Sequence, residues 1–584
     1  MKHKHLPVSD ITFQEMIQNN FLYVDKTLYI YKLLEIFRYK CCILSRPRRF
    51  GKTLLLDTIG ELFEGDRELF RGLWIDGSGY RFERYPVLRF TMTYTQVSSE
   101  DDIVANIKDD LIEAAQDEGV ALSSGSCGDM LGELLEGIYK KHGVGAVVLV
   151  DEYDAPVTDH ILDLDLSLAI QDVLKNFYMS MNSSIDYIHF AFVTGIMRFV
   201  MMFDGSGPDN FRDISLNPEF SGICGFTSTE MNMYFNDRFM KTLAGLKKMG
   251  KIGPDADVKK LKEFILEYYD GYSWLGSETV MNPYSILNFF FSQAKDDYWT
   301  LSGRPSCLSF LARERPLDFI QPCMGSYPVH ELTKSDIVNL DAVPVLFHSG
   351  YLTVNSRTLL NRTANGKSET IDALTFRFPT EEVSSTYHGT VFNDVFWPED
   401  TCLRNIQWIL PNAIEQKDSG EVAQLLCHIF FSISKNEIRF DKRHVTSAHL
   451  STCDQSDNAE QYCRGVLCGC LRSAGFHAWR GGDSWPDSDN IVLSLNDKFR
   501  AVILMKYCHP DILADQEANV GNSGVESACS SGSAGEMSLA LDIVERQMRE
   551  TDCAGPHRAA GCSVTCMAVA FRDSYQVEVR FFDC

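Results

Sequence analysis

Cys41 to Leu44 form a short apolar run that passes into a basic turn, Ser45-Arg46-Pro47-Arg48-Arg49-Phe50, closed by Gly51-Lys52-Thr53. A helical pattern, Leu54 to Phe63, follows without a gap. This order of strand, turn, Gly-Lys-Thr and helix constrains the chain more than any other feature, because it is the setting in which a phosphate-binding loop works. The turn from Arg46 through Pro47, Arg48, Arg49, Phe50 and Gly51, with the first helical amides of Lys52, Thr53 and Leu54, would wrap phosphate oxygens. The helix N-terminus adds a partial positive charge. Lys52 would reach the β- and γ-phosphates, and the Thr53 hydroxyl would hold Mg²⁺. The usual motif has glycine five positions before Gly51; here Arg46 stands in its place.

A second segment completes this chemistry. Val147-Val148-Leu149-Val150 has the length and valine content of a parallel strand covered on both faces, and it ends in Asp151-Glu152. Asp151 would complete the Mg²⁺ shell, and Glu152 would polarise the attacking water. The cofactors implied are ATP, with GTP as the alternative, and Mg²⁺.

Tyr23-Val24-Asp25-Lys26-Thr27 and Arg46-Pro47-Arg48-Arg49-Phe50-Gly51-Lys52-Thr53 resemble the opening of the bacterial AAA-ATPase-like proteins. Further matches are Asp151-Glu152-Tyr153-Asp154-Ala155-Pro156, Val193-Thr194-Gly195-Ile196 and Gly225-Phe226-Thr227. Tyr269-Asp270-Gly271-Tyr272, Asn282-Pro283-Tyr284-Ser285 and Ser349-Gly350-Tyr351-Leu352-Thr353 continue the collinear set. In that family the loop is arginine-rich, so the resemblance accommodates Arg46. It also implies that Thr194 senses the γ-phosphate, and that a PD-(D/E)xK nuclease-type domain follows at the C-terminus. Arg198 could reach phosphate or serve structurally, and the reading favours the structural role. An arginine supplied across an oligomer interface stays open.

The segments expected to alternate are strands Cys41–Leu44, Pro86–Phe90, Val147–Val150 and His189–Thr194 with helices such as Asp101–Asp117 and Asp129–Lys141. The fold class read from this is α/β: a P-loop NTPase parallel sheet with a helical lid region, followed by a smaller α/β restriction-endonuclease-like domain. The boundaries expected are 1–230 for the P-loop domain, 231–390 for a mainly helical lid and 391–455 for a helical connector. Residues 456–584 would form the nuclease-like domain, with a flexible Gly/Ser-rich insertion at 509–537.

Nuclease chemistry on that fold needs an aspartate before one strand and Glu-x-Lys in the next, two carboxylates to hold the metal and a lysine for the water. The corresponding positions here are Asn490 and Leu504; Lys506 alone matches. Leucine cannot ligate a hard cation, so the domain reads as a degenerate remnant serving as a binding module.

Composition sets the outer bounds. With 584 residues the chain is long enough for several domains, and 45% hydrophobic with 23% charged residues is an ordinary globular balance. A net charge of −25 argues against a surface built broadly for nucleic acid, although a local site stays open. The N-terminus has no apolar signal region and no apolar stretch is long enough for a membrane span, so a cytoplasmic protein is expected. The 18 cysteines include no Cys-x-x-Cys pair, so reduced, mostly buried thiols are expected rather than a zinc framework. Three functions compete: a Mg-dependent ATPase with a non-catalytic C-terminal module, an ATP-gated DNA nuclease, and a nucleotide-binding switch or scaffold without turnover. Glu152 favours turnover over the third, and the second needs metal ligands that Asn490 and Leu504 do not supply.

Overall fold

The computed structural model describes residues 4–9, 11–95, 97–198, 211–250, 252–275, 278–299, 326–332, 340–364, 367–388, 400–434, 467–472, 476–480, 490–496, 499–507, 532–559, 561–571 and 576–583, with isolated residues 308, 311, 323, 337, 338, 464, 465 and 474. The chain divides into two compact units, Met1–Leu311 with Pro322–Ser384, and Ala312–Gln321 with Ser385–Cys584.

The first unit is built on a five-stranded parallel sheet. Its strands are β1 (Cys41–Ser45), β2 (Val87–Thr91), β3 (Ala146–Asp151), β4 (Ile188–Gly195) and β5 (Phe211–Asp213). They lie in the order β2-β3-β4-β1-β5, every pair parallel. Every residue of β1 and β3 is buried, as continuous apolar runs under helices on both faces should be, whereas outermost β2 exposes Arg89 and Thr91. Parallel strands need crossovers, and the helices Lys52–Glu64, Glu100–Glu118, Cys127–His142 and Leu164–Ser183 supply them. Cys127–His142 starts in a capping box between Ser126 and Asp129 and stops at Gly143, whose φ of 71° suits glycine. Two elements escaped the sequence reading. Helix Leu164–Ser183 buries Ile170, Leu174, Phe177 and Met181 at helical spacing but carries polar residues between them. Strand β5 has three residues, too few for a periodic signal.

Around this sheet the first unit adds the helices Ser228–Tyr234, Asn236–Lys248, Val258–Tyr269 and Pro283–Ser292, which share one apolar cluster centred on Phe235, Phe239, Leu261, Ile265 and Phe289. Helices Ser228–Tyr234 and Asn236–Lys248 are separated at Phe235. Short strands β6 (Phe226–Thr227) and β7 (Val280–Met281) pair with each other. The described residues of 231–390 include strands as well as the expected helices: β8 (Tyr327–Pro328), β9 (Thr353–Ala364) and β10 (Lys367–Arg377) form an antiparallel sheet. Its strands alternate polar with polar residues over much of their length, so hydrophobic periodicity does not reveal them.

In the second unit β11 (His477–Arg480), β12 (Ile491–Asn496), β13 (Phe499–Tyr507), β14 (Ser563–Phe571) and β15 (Val577–Phe582) lie side by side in chain order. The pair β13–β14 is parallel, and helix Gly532–Glu550 crosses between them. That helix begins inside the expected 509–537 insertion, of which 509–531 lies outside the described residues. Of the expected connector 391–455, residues 400–434 are described: helices Asp400–Glu415 and Ser419–Ser434 belong to this unit, the latter packing on β15. Cys41, Cys42, Cys127, Cys224, Cys468 and Cys470 are buried free thiols, whereas Cys566 is disulfide-bonded, against the expectation of reduced thiols. No helix among the described residues is long and apolar enough to cross a membrane.

Glu382 is 2% exposed and accepts hydrogen bonds at Oε1 from Ser285 Oγ (2.9 Å) and Trp299 N (2.7 Å). Burial raises its pKa to about 8. Between the ordinary carboxyl value and about 8, the folded protein holds a proton that the unfolded chain has released. This group's contribution to stability is therefore complete below the ordinary value and is lost as pH rises through about 8. A glutamine oxygen can accept both bonds without ionising. Thermal melts should show Glu382→Gln gaining on the parent protein steadily from about pH 5 to about pH 8.5; parallel curves would disprove the assignment.

Candidate functional site

The helix Lys52–Glu64 begins at Gly51, whose φ of 89° is a left-handed conformation that glycine adopts without strain. No side chain caps its N-terminus, in contrast to the Ser99, Ser126, Asp163, Asp257 and Asn282 caps on other helices. First-turn amides without a side-chain cap suit an anion. Lys52 is 5% exposed, and its Nζ donates to the carbonyls of Arg46 (3.0 Å) and Pro47 (3.1 Å). Burial pushes its pKa down, and the charges of Asp151, Glu152 and Asp154 oppose that shift.

Asp151 ends β3 and is held by two hydroxyls. Its Oδ2 accepts from Thr53 Oγ1 at 2.5 Å, its Oδ1 accepts from Thr194 Oγ1, and Oδ1 also takes the Glu152 amide at 3.0 Å. The strand order explains the convergence, since β4 lies between β1 and β3 and delivers Thr194 between the two halves of the site. Glu152 has φ of 50°, a left-handed conformation costly for a non-glycine residue, which re-aims its side chain past the end of the strand. There Glu152 Oε2 accepts from Thr93 Oγ1 at 2.6 Å. Thr93 follows β2 and had no signal in the sequence.

Asp154 is the next buried acid, 1% exposed. Its two oxygens accept from the amides of Ile196 (3.0 Å) and Met197 (2.6 Å), fixing the turn after β4. Burial raises its pKa to about 6 against the pull of those amides and of Lys52. Gly195 is required beneath it, since a Cβ there would lie 2.3 Å from Asp154 Oδ1. Arg198 pairs with Asp213 of β5, the structural role.

The structure thus brings together Lys52, Thr53, Asp151, Glu152 and Thr194. Other residues of the turn face elsewhere. Arg46 is 1% exposed, and its guanidinium donates to the carbonyls of Ser45 (2.9 Å), Ser215 (2.8 Å) and Phe220 (3.3 Å) while lying 4.2 Å from the Trp274 ring centroid. Burial lowers its pKa to about 10. Arg46 meets the site through its backbone carbonyl, which accepts from Lys52 Nζ. Phe50 is buried, Arg48 lies 3.8 Å from Asp159, Arg49 lies over Tyr284 at 5.4 Å, and Leu54 is half-buried.

A buried lysine at a helix N-terminus beside a hydroxyl–carboxylate–hydroxyl group is the geometry that the family comparison independently bears on. Residues 7–203 match the model of a family of predicted AAA-ATPases. Over 357 residues the chain is 31% identical to an uncharacterized protein in the vnfD 5′ region of Azotobacter chroococcum mcd 1. That alignment covers 61% of this chain and 65% of the relative, just under two thirds of the relative's length. The matched segment, residues 7–203, contains the turn 46–53, Asp151, Glu152 and Thr194. The donor set also fits Mg²⁺, because Thr53 Oγ1 and the Asp151 carboxylate are hard oxygen ligands.

Asp154→Ala should strip two buried amides of their acceptor. We expect a loss of about 3 kcal/mol in stability, read from denaturant unfolding, with the turn 195–198 losing hydrogen-exchange protection first. Unfolding equal to the parent would show the carboxylate to be dispensable.

Proposed function

We propose that this chain binds Mg·ATP at the turn 46–53 and hydrolyses it slowly, its second unit serving as a binding module without nuclease chemistry. The observation that carries the reading is the Asp151 carboxylate gripped by Thr53 and Thr194 beside buried Lys52. Lys52 and the first helical amides neutralise and orient the phosphates. Thr53 and Asp151 hold Mg²⁺, which when bound supplies positive charge to the transferring phosphoryl group. Thr194 keeps the Asp151 carboxylate turned toward Thr53. Glu152 accepts the proton of the attacking water, and its contact with Thr93 sets where its carboxylate points. A switch without turnover would not need a carboxylate at position 152.

The second unit has a three-strand meander, a crossover helix and a parallel strand, an order that supports the nuclease-like resemblance. Ile491 lies opposite Ile503 and Val492 opposite Val502, which extends to set Asn490 opposite Leu504. Val492, Val502 and Leu504 pack in one apolar cluster with Met537, Leu541 and Val544 of the crossover helix. A leucine in that cluster offers a metal no oxygen, which supports a module that does not cut.

The first test is Mg-dependent hydrolysis of ATP and GTP by the full chain beside Lys52→Ala and Glu152→Gln. Lys52→Ala should lose nucleotide binding. Glu152→Gln should keep binding and lose about 10²- to 10⁴-fold in turnover. Binding by the parent without turnover would favour the switch, and no binding at all would sink the assignment. DNA added with Mg²⁺ should remain uncut, with Lys506→Ala indistinguishable from the parent; cleavage that Lys506→Ala abolishes would restore the nuclease reading.

A further inference from the structure

Several motifs of the family resemblance carry no catalytic group, yet in the fold they converge on the back of the phosphate-binding turn. Trp274 lies under the Arg46 guanidinium and meets Phe50 edge-on, with ring centroids 5.3 Å apart. Tyr272 stacks on Trp274, meets Phe50 edge-on at 4.8 Å, and donates through its hydroxyl to Gly350 O at 3.0 Å. Gly350, φ 91°, sits so close to Pro47 that a Cβ would lie 2.7 Å from the proline Cβ. Thr353 Oγ1 accepts from Ser273 N (2.7 Å) and donates to Ser273 O (3.0 Å), tying the two segments together. From the other side, Gly225 N donates to Phe50 O at 3.2 Å.

A phosphate-binding turn ordinarily relies on glycine at the position of Arg46 for close backbone packing. Here the backbone path is imposed from outside. The Arg46 guanidinium, clamped between the Trp274 ring and the carbonyls of Ser45, Ser215 and Phe220, fixes residue 46, and the carbonyls of residues 46 and 47 then receive Lys52 Nζ. Trp274 and Arg46 are 4% and 1% exposed, so this contact lies out of water, where a cation–π interaction is strongest.

We propose that Trp274 is a positioning residue for the nucleotide site, acting through Arg46 to set the turn that presents Lys52. The proposal rests on the nucleotide-binding reading above. Trp274 acts through Arg46 and Phe50, behind the turn, so its loss acts on binding rather than on the chemical step. Trp274→Leu should raise KM for Mg·ATP about tenfold, the worth of a desolvated cation–π contact, and leave kcat within about twofold. Trp274→Phe, which keeps an aromatic face, should recover most of the affinity. Mere destabilisation would lower the active fraction, and so the apparent kcat, without moving KM.

The decisive measurement is a double-mutant cycle on nucleotide affinity with Arg46→Met, run with thermal melts of each full-length variant. Arg46→Met with Trp274→Leu should bind no more weakly than Arg46→Met alone. Additive losses, or an unchanged KM in Trp274→Leu while Lys52→Ala abolishes binding, would overturn the proposal and leave the nucleotide site standing. If the parent binds no nucleotide, both readings fall together. Should Trp274→Leu fail to fold, Arg46→Lys decides: lysine keeps the charge but not the planar fork, so an unchanged KM would overturn the clamp and a raised one supports it.

Discussion

A single carboxylate, that of Asp151, organises the first unit. It is reached by a hydroxyl from the helix after β1 and by another from the end of β4, and so it joins three parallel strands at one point. Its oxygens are too buried to be left unpaired, so any rearrangement of one strand end is felt by the other two. Lys52, Glu152 and Asp154 are placed around this joint, with Asp154 tying down the turn beyond β4. Polar groups that might have destabilised the core instead fix its geometry.

Much of this was legible in the chain. Val147 to Val150 reads as a fully covered strand because no polar residue interrupts it, and the structure buries all of it. The helical pattern Leu54 to Phe63 was read after Gly51-Lys52-Thr53, and the structure gives a helix Lys52–Glu64. Other parts were hidden for physical reasons. The Thr93 contact depends on two strands lying side by side, which local pattern cannot express. The partners of Arg46 were hidden as well, because they are carbonyls and an indole far along the chain. The β9–β10 pair escaped because Thr, Asn, Arg and Ser dominate it and leave no apolar alternation to read.

The C-terminal unit shows a different relation between fold and chemistry. Its sheet is held by Val492, Val502, Leu504, Ala568 and their neighbours against helix Gly532–Glu550. Leu504 adds to this packing without the desolvation cost that a charged side chain would carry there.

The placement of β4 between β1 and β3 has a mechanical consequence. Neighbouring strands are about 4.8 Å apart and rotate by about 20–25° per step, so the ends bearing Lys52 and Asp151 are separated by two such increments. The span of the site is thereby tied to the twist of the whole sheet. Flattening or tightening that twist would open or narrow the mouth like a pair of calipers, with Thr194 riding at the pivot.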